Sequence, residues 1–283
     1  MRNPDRKTPY ALNIGLREAV GEYVAFLGAH NVYDTDYIST CLQELNRTGA
    51  TGCSGRVVVE AANRSLQARL IKWMMKSSFG APGFRTQNAG YSDSVAFPVF
   101  RKAPLLELGG YDERLHRNQD NDMNERLHAA GHAMYVTDKT KVVYIERGTI
   151  KEAVRYAFRS GLWNTYALKI NARSMKLRHF VPAVFTLLVG VGVILKLLKV
   201  FVARLWLRKV CRILELVIPL HLAVGACFAA GQIRESRSAA MVLLVPLFLV
   251  HHLAYGTGSI LGFLYGRKGD EGSRTYRTNR LPQ

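Results

Sequence analysis

An acidic segment near the middle of the chain combines residue types that could do chemistry. The stretch HRNQDNDMNERL, residues 116–127, places Asp120, Asp122 and Glu125 within six residues of one another. The 283-residue chain has a formal net charge of +18, so this concentration of acid stands out. Carboxylates in a first helical turn cap the helix and interact favourably with its dipole. A carboxylate at the mouth of a pocket can instead act as a general base toward a hydroxyl group, and the local sequence leaves both interpretations open.

The elements that must position this segment alternate between helix and strand. Apolar residues at helical spacing predict helices over TPYALNIGLREAV, TDYISTCLQELNRTG, SLQARLIKWMMKSSFG and DNDMNERLHAAG. Gly21, Gly49 and Gly131 follow three of these helices as C-terminal stops. Short apolar runs predict strands in EYVAFLGAH, TGCSGRVVVE and SVAFPVFRK, and AMYVTDKTKVVYIER predicts one or two more. This alternation predicts an α/β layer architecture, with LLELGGYDERL as the turn into the acidic segment.

Three uncharged apolar runs follow, at Phe180–Leu195, Leu216–Ile233 and Ser238–Gly266. A helix needs about 20 residues to cross the hydrocarbon core of a bilayer. The third run is long enough, the second is marginal and the first is short. We therefore predict a soluble domain over residues 1–179 and a membrane-embedded region over 180–266 with two or three spans. A basic tail over 267–283 completes the predicted organisation.

Residues 196–212, KLLKVFVARLWLRKVCR, combine a basic stripe with an apolar one. Lys196, Arg204, Arg208 and Arg212 recur at multiples of four, opposite Leu, Val, Phe and Trp side chains. This pattern is typical of an interfacial helix lying on a membrane surface. If the preceding run crossed the membrane, these cations would face the outside, against the positive-inside tendency. We therefore predict an interfacial helix at the cytoplasmic leaflet.

Composition excludes several classes of protein. The isoelectric point near 10.0 could indicate nucleic-acid binding, but the sequence contains no nucleic-acid motif, and basic residues beside membrane spans more often face anionic lipid. The four cysteines (Cys41, Cys53, Cys211 and Cys227) form no CxxC pair, which argues against a disulfide or zinc framework. The N-terminal residues lack the apolar core of a signal peptide. We therefore expect the soluble part in the cytoplasm.

Several stretches of the sequence resemble one enzyme family. GGYDERLHRNQDNDMNERLHAAGH resembles the acceptor-site stretch of family 2 glycosyltransferases, which are inverting enzymes with a GT-A fold. NPDRKTPYALNIGLREAVGEYVAFLGAHNVYDTDYI resembles the middle of that fold, and SDSVAFPVFRKAPLLELGGYDE resembles the strand before the acceptor loop. RYAFRSGLWN, RHFVP and HHLAYGTGSILGFLYG resemble the membrane-attached subgroup that builds bacterial exopolysaccharide, of the succinoglycan type. The resemblance implies a partial, Rossmann-like GT-A sheet followed by membrane helices.

The resemblance assigns roles on the acceptor side. In the family a Glu-Asp pair precedes the helix, and its Asp is the base toward the acceptor hydroxyl. Here the pair is Gln119-Asp120, so the base role maps to Asp120. Asp122 is a neighbouring acid that could raise the pKa of Asp120 through repulsion between like charges. Asp93, in YSDSVAF, matches an acceptor-side position of the family, and the alternative for Asp93 is an ordinary turn residue.

The resemblance also assigns roles on the donor side. The subgroup carries Asp-x-His after the strand that EYVAFLGAH matches, and this motif holds Mn²⁺ or Mg²⁺ on the donor diphosphate. The chain has Gly28-Ala29-His30 there, which keeps His30 as a metal ligand but lacks the leading carboxylate. A hydrogen-bonded histidine at a strand end is the alternative for His30. Arg155 and Arg159 match a region where basic residues meet the diphosphate, although a cationic helix on the membrane surface fits them equally.

As a whole, the resemblance implies a multi-pass enzyme of the bacterial inner membrane with a cytoplasmic catalytic domain. It would transfer a sugar from a nucleotide-sugar donor to a lipid-linked, polyprenyl-type acceptor, together with other polysaccharide-assembly proteins. Residues matching NPDRKTPYALN follow a nucleotide-binding half in the family, so the domain is expected to be N-terminally incomplete. Three explanations are then open. The first residue of the chain is misassigned, the chain is a truncated remnant, or another chain supplies the nucleotide-binding half. The alternatives to an enzyme are a catalytically inactive membrane-anchored subunit and a basic membrane adaptor without sugar chemistry.

Overall fold

The computed structural model of the chain describes residues 7–81, 83, 85, 87–198 and 205–265. These residues form two compact units. The first unit holds the described residues up to Ala153 together with Leu222–Leu249. The second holds Val154–His221 together with the described residues from Val250 onward. The first unit therefore combines the α/β domain with part of the apolar helical region, and the basic tail lies outside the described residues.

The first unit is built on one mixed β-sheet. Its strands are β1 (Tyr23–Ala25), β2 (Asn31–Tyr33), β3 (Gly52–Glu60), β4 (Gly90–Ser92), β5 (Val99–Arg101) and β6 (Met134–Ile145). The strand order is β1-β5-β3-β6-β2, and β4 also pairs with β6. Strands β3 and β6 run parallel, whereas the other pairs are antiparallel. The expected α/β class is confirmed, and the sheet is mixed.

Ten α-helices complete the described chain. They are α1 (Thr8–Glu18), α2 (Tyr37–Thr48), α3 (Leu66–Lys76), α4 (Lys102–Glu107), α5 (Gln119–Ala129), α6 (Ile150–Ile170), α7 (Val181–Leu198), α8 (Leu205–Glu215), α9 (Val217–Ser236) and α10 (Leu244–Tyr265). The helices predicted in the first 131 residues are all present. Gly49 and Gly131 follow α2 and α5 with φ of +70° and +84°, the left-handed conformation expected after a helix end.

Helices cover both faces of the sheet. Successive side chains of a strand point to opposite faces, and in β5 the neighbours Val99 and Phe100 belong to different apolar clusters. Phe100 packs in the cluster that also contains Leu16 of α1 and Met123 of α5. Val99 packs in the cluster under α2, together with Leu45. The first of these clusters supports the acidic segment.

Three helical segments are long and apolar enough to cross a membrane: Leu177–Leu197, Val210–Ser236 and Ala239–Leu264. The length and composition of all three therefore meet the requirement for a span, including the run that looked short in the sequence. The interfacial helix predicted over 196–212 is only partly described. Within the described residues, α7 continues to Leu198 and α8 begins at Leu205.

Candidate active site

Asp120 lies in the first turn of α5, directly after a backbone turn. Asn118, the residue before this helix, has φ of +63°, a left-handed conformation that asparagine tolerates better than most residues. The Asp120 side chain is exposed, and the backbone N–H of Asn121 donates to its Oδ1 at 2.9 Å. The carboxylate therefore has the favourable helix-terminal position of a cap, and it is also open to an approaching molecule.

The electrostatic environment of Asp120 suits a base. Surrounding protein reduces the hydration of the carboxyl group and raises its pKa above the ordinary value. Backbone N–H groups and the positive charge of Arg117 oppose this shift. Raising the pKa makes the carboxylate a stronger proton acceptor, which is what general-base catalysis requires.

Tyr111, in the loop before α5, packs against the end of β1. Its own pKa is raised mainly by burial, and the negative charge of Asp120 adds to this shift. The Tyr111 ring packs edge-on against Phe26, with ring centroids 5.3 Å apart. Phe26 directly follows β1 and precedes the Gly28-Ala29-His30 corner by two residues. The fold thus brings the end of β1 toward the acidic segment.

Asn13 of α1 holds the loop that leads to Asp120. Its Nδ2 donates to the carbonyl oxygen of Tyr111 at 2.8 Å, and the N–H of Tyr111 donates back to Asn13 Oδ1 at 2.8 Å. Asn13 Nδ2 also donates to Glu113 Oε1 at 3.0 Å. Gly110 makes this approach possible because a Cβ at that position would lie 2.7 Å from Asn13 Oδ1. The Gly109-Gly110 pair has φ of +80° and +76°, so the turn also favours glycine at both positions.

Arg126 holds the same loop from the α5 side. Its guanidinium donates to the carbonyl oxygens of Leu108 at 2.8 Å and Gly110 at 2.7 Å. Its Nε forms an ion pair with Asp122 Oδ2 at 2.9 Å, one helical turn back. The Asp122 side chain is only 3% exposed. Asp122 therefore orients Arg126 in this structure. The main cause of the raised pKa of Asp120 is the hydration lost to surrounding protein, where repulsion by Asp122 was expected.

The two other acceptor-side candidates lie near α5. Gln119 is its first residue, and Asp93 lies in a turn that a hydrogen bond joins to this helix. The Oε1 atom of Gln119 is buried and has no hydrogen-bond partner among the described residues. Asp93 is exposed in the turn after β4. Asn124 of α5 donates to the carbonyl oxygen of Val95 at 3.0 Å, which ties that turn to the helix. The roles of Gln119 and Asp93 toward an acceptor remain predictions.

The corner at Gly28 is closed by a neighbouring side chain. A Cβ on Gly28 would lie 2.4 Å from Nδ2 of Asn31, so the asparagine amide occupies the space a carboxylate-bearing residue would need. The N–H of Gly28 donates to the hydroxyl group of Tyr33 at 2.7 Å. His30 is exposed beside this corner. A side chain at position 28 would therefore have to displace the Asn31 amide.

These residues do not form a site that fits Mn²⁺ or Mg²⁺. Both ions prefer oxygen ligands, and His30 offers only nitrogen. The nearby carboxylates accept hydrogen bonds from β6, Asp34 from the N–H of Lys141 and Asp36 from the hydroxyl group of Thr140. No group of three metal-ligating side chains occurs in the described part of the chain. The metal role of His30 stays a prediction.

Arg155 and Arg159 lie on α6, in the second compact unit. They are one turn apart and both exposed, so they share the basic face predicted from the sequence. Their contact with a diphosphate stays a prediction.

Three residues that build the site were not singled out from the sequence. Asn13 is a polar residue on the otherwise apolar face of α1, which is the usual sign of a buried hydrogen-bonding role. Arg126 follows Asp122 by four residues, the spacing of a helical ion pair. Tyr111, next to the Gly-Gly turn, gave no comparable signal because its contact with Phe26 is long-range.

Comparisons with known proteins find similarity to glycosyltransferases and to a polysaccharide biosynthesis protein. The profile of the family described as Glycosyl transferase family 2 matches residues 1–108. The chain is 29% identical over 153 residues to the succinoglycan biosynthesis protein ExoA of Rhizobium meliloti, covering 52% of this chain and 46% of the relative.

A second relative comes from an archaeon. The chain is 21% identical over 165 residues to the dolichyl N-acetyl-alpha-D-glucosaminyl phosphate 3-beta-D-2,3-diacetamido-2,3-dideoxy-beta-D-glucuronosyltransferase of Methanococcus voltae. This match covers 56% of this chain and 51% of the relative. The chain thus spans about half the length of the curated relatives it matches.

Proposed function

We propose that this chain, whose residues 1–108 match the glycosyltransferase family 2 profile, transfers a sugar from a nucleotide-sugar donor to a lipid-linked acceptor. The observation that carries the proposal is Asp120, an accessible carboxylate with a raised pKa at the start of α5. The second relative is named as a transferase with a dolichyl-phosphate-linked sugar as its acceptor. The three candidate spans support a membrane location.

In the proposed reaction, Asp120 accepts the proton of the acceptor hydroxyl group. The oxygen attacks the anomeric carbon from the side opposite the nucleotide diphosphate, the bond between that carbon and the diphosphate oxygen breaks, and the configuration inverts. Asn13 and Arg126 act as positioning residues because they fix the loop that leads into α5. The exposed cations Arg155 and Arg159 are our candidates for binding the diphosphate. The positive charge of Arg117 opposes the raised pKa of Asp120 and so favours its carboxylate form.

We also propose a location and an orientation. The enzyme would be a multi-pass protein of the inner membrane, with the α/β domain on the cytoplasmic side, where nucleotide sugars are made. The acceptor would be of the polyprenyl type, and the product would enter bacterial polysaccharide, as the name of the ExoA relative indicates for that protein. Partner proteins of polysaccharide assembly belong to the same proposal.

A second candidate function is a catalytically inactive, membrane-anchored subunit that works with a partner chain. The Gly28 corner favours it, because Asn31 fills the place of the expected carboxylate. The two candidates differ in their response to donors. The test is to reconstitute the full chain in lipid vesicles containing polyprenyl phosphate and titrate it with a panel of UDP- and GDP-sugars. Saturable binding and a glycosylated lipid detected by mass spectrometry support the transferase, whereas no binding of any donor would refute it for this chain.

A further inference from the structure

Helix α3 presents a basic and aromatic face away from the core. Its buried side chains, including Ala68, Ile71, Met74 and Met75, pack inside the first unit. Arg69, Lys72, Trp73 and Lys76 follow one another at helical spacing on the opposite side. Arg69 and Lys76 are exposed, and Trp73 is half-buried. The outward face of α3 therefore consists of three cations around one tryptophan, and we refer to these four residues as the α3 face.

Contacts within the α3 face keep the tryptophan between its cations. The ammonium group of Lys76 lies 4.8 Å from the centroid of the Trp73 ring, and that of Lys72 lies 5.9 Å away. Lys72 also pairs with Glu60 at 2.7 Å. Tryptophan is enriched at the membrane–water interface because its ring is apolar and its N–H is polar. Lysine and arginine beside it attract anionic headgroups.

The end of α3 is joined to a candidate membrane span. Lys76 forms an ion pair with Glu235, which lies in the last turn of α9. Glu235 is next to Ser236, where the second candidate span ends. The α3 face therefore lies level with the end of this span, which is where headgroups are found.

Phe79, three residues beyond α3, contacts α9 and α10 at positions farther from the end of the second candidate span. Its ring stacks on Phe228 of α9 with centroids 5.2 Å apart, and it packs edge-on against Phe248 of α10 at 5.1 Å. A Cβ on Gly225 would lie 3.7 Å from the Phe79 ring. Phe228 precedes Ser236 by eight residues, which corresponds to about 12 Å along a helix. Half of a hydrocarbon core is about 15 Å thick, so a span that ends at Ser236 would hold Phe79 at the depth of the acyl chains.

We propose that the α3 face is a docking surface for anionic lipid headgroups, and that Phe79 anchors it by lying within the hydrocarbon layer. The catalytic unit then rests directly on the bilayer, with the segment after α3 submerged. This proposal depends on the membrane location proposed above and does not depend on sugar transfer. It would bring the domain that carries Asp120 to the surface from which a lipid-linked acceptor must come.

A single-tryptophan protein tests the depth of the surface. Replacing Trp163 and Trp206 with phenylalanine leaves Trp73 as the sole tryptophan of the full chain, which is reconstituted in nanodiscs. We expect lipids brominated near the headgroup to quench Trp73 more strongly than lipids brominated near the chain end. We also expect protection from aqueous acrylamide. Full access of acrylamide to Trp73, with no effect of either brominated lipid, would overturn the proposal.

Moving the single tryptophan to position 79 tests whether Phe79 lies within the hydrocarbon layer. In a chain with Phe79→Trp and the three native tryptophans replaced by phenylalanine, we expect the deeper bromine to quench more strongly than the shallow one. The reverse order, or quenching by acrylamide alone, would place residue 79 outside the hydrocarbon layer and refute the anchor. Unchanged thermal unfolding of this variant in detergent would show that its fold is intact.

The charge preference needs a matched control. In nanodiscs with phosphatidylglycerol, Arg69→Gln should increase the fraction of Trp73 reached by acrylamide about fivefold, the factor for one cation near an anionic surface. Arg56→Gln removes an exposed arginine on β3, outside the α3 face, and should leave this fraction unchanged. Equal effects of both variants, or equal protection in purely zwitterionic nanodiscs, would refute headgroup recognition.

The proposed location is tested separately. Retention of the chain in membranes washed with alkaline carbonate supports insertion of the spans. Retention combined with a water-exposed Trp73 would refute the docking surface alone. Release by carbonate would refute both membrane insertion and the docking surface, and it would leave the proposed sugar transfer open to its own test.

Discussion

Replacing Arg126 with methionine tests how the loop before Asp120 is held. The change keeps the length of an unbranched side chain and removes three bonds: the ion pair with Asp122 and the two hydrogen bonds to the Leu108 and Gly110 carbonyl oxygens. A helical i,i+4 pair on a protein surface contributes only about 0.2–0.5 kcal/mol. The Asp122 side chain is 3% exposed, however, and that of Arg126 is 26% exposed, so water replaces the lost partner poorly.

The expected cost follows from these bonds. Breaking a buried ion pair by removing one partner costs about 3–5 kcal/mol, and the partial exposure of Arg126 lowers this to about 2–4 kcal/mol when solvent screening is included. A change of 1 kcal/mol shifts the melting temperature of a domain of 150–250 residues by about 2–4 °C. We therefore expect a decrease of about 4–16 °C for Arg126→Met.

The assay is thermal unfolding of the full chain in detergent, followed by tryptophan fluorescence, with hydrogen exchange measured across residues 108–118. Faster exchange in this loop is expected before global unfolding. Arg117→Met serves as the matched control, because it removes a cation of the same segment and leaves the three bonds of Arg126 in place. A decrease in melting temperature below about 1 °C for Arg126→Met would be no larger than the loss of a surface ion pair causes. Together with unchanged exchange in the loop, it would refute the role of Arg126 in holding the loop.

Three further predictions concern the same site. Gly110→Ala should lower stability by about 1–3 kcal/mol, because of its positive φ and the close approach of a side chain, whereas Gly15→Ala, in open space within α1, should raise it by about 0.5–1 kcal/mol; urea unfolding compares the two. Transfer should slow as pH falls through the raised pKa of Asp120, and Arg117→Gln should move this acid limb to higher pH because it removes the charge that favours the carboxylate. Gly28→Asp should fold with little loss of stability, because the atom in its way is the end of a flexible side chain; it should also make donor binding depend on Mn²⁺, and calorimetric titration with and without EDTA measures this.

The sequence predicted those elements whose signals are local. The helical spacing and the glycine at position 49 locate α2, and its Gly49 has the expected left-handed backbone. In the strand predicted over SVAFPVFRK, only Val99–Arg101 pairs in the sheet. Phe97 has φ of +56° and Pro98 has no backbone N–H, so pairing stops there. Strands β2 and β4, of three residues each, were missed because their pairing with β6 is long-range.

The position of the acidic segment at a helix start was predictable from the sequence, but the contacts that support it were not. The position of Asp120 at the start of a helix followed from the sequence. The charge of Asp122 was expected to raise the pKa of Asp120, but the main cause is the hydration lost to surrounding protein, which depends on the packing of distant segments. The contact between Asn13 and Tyr111 joins residues 98 positions apart, and no local pattern reports such a pair. The four-residue spacing of Asp122 and Arg126 is typical of a helical ion pair, but nothing in the sequence indicated that Arg126 also holds the loop.

The most direct test of the account is the rate of sugar transfer by Asp120→Asn, measured beside Glu125→Gln. Both variants replace a carboxylate of the acidic segment with its amide, and only the first removes the proposed base. Membranes containing each variant are supplied with the nucleotide sugar that the native chain uses, and the glycosylated lipid is quantified by mass spectrometry. General-base catalysis contributes about 10²–10⁴-fold, so Asp120→Asn should lose at least about 100-fold in rate at unchanged donor binding, and Glu125→Gln should stay within about twofold of the native chain. A native rate for Asp120→Asn, or an equal loss in both variants, would contradict the assignment of Asp120 as the base.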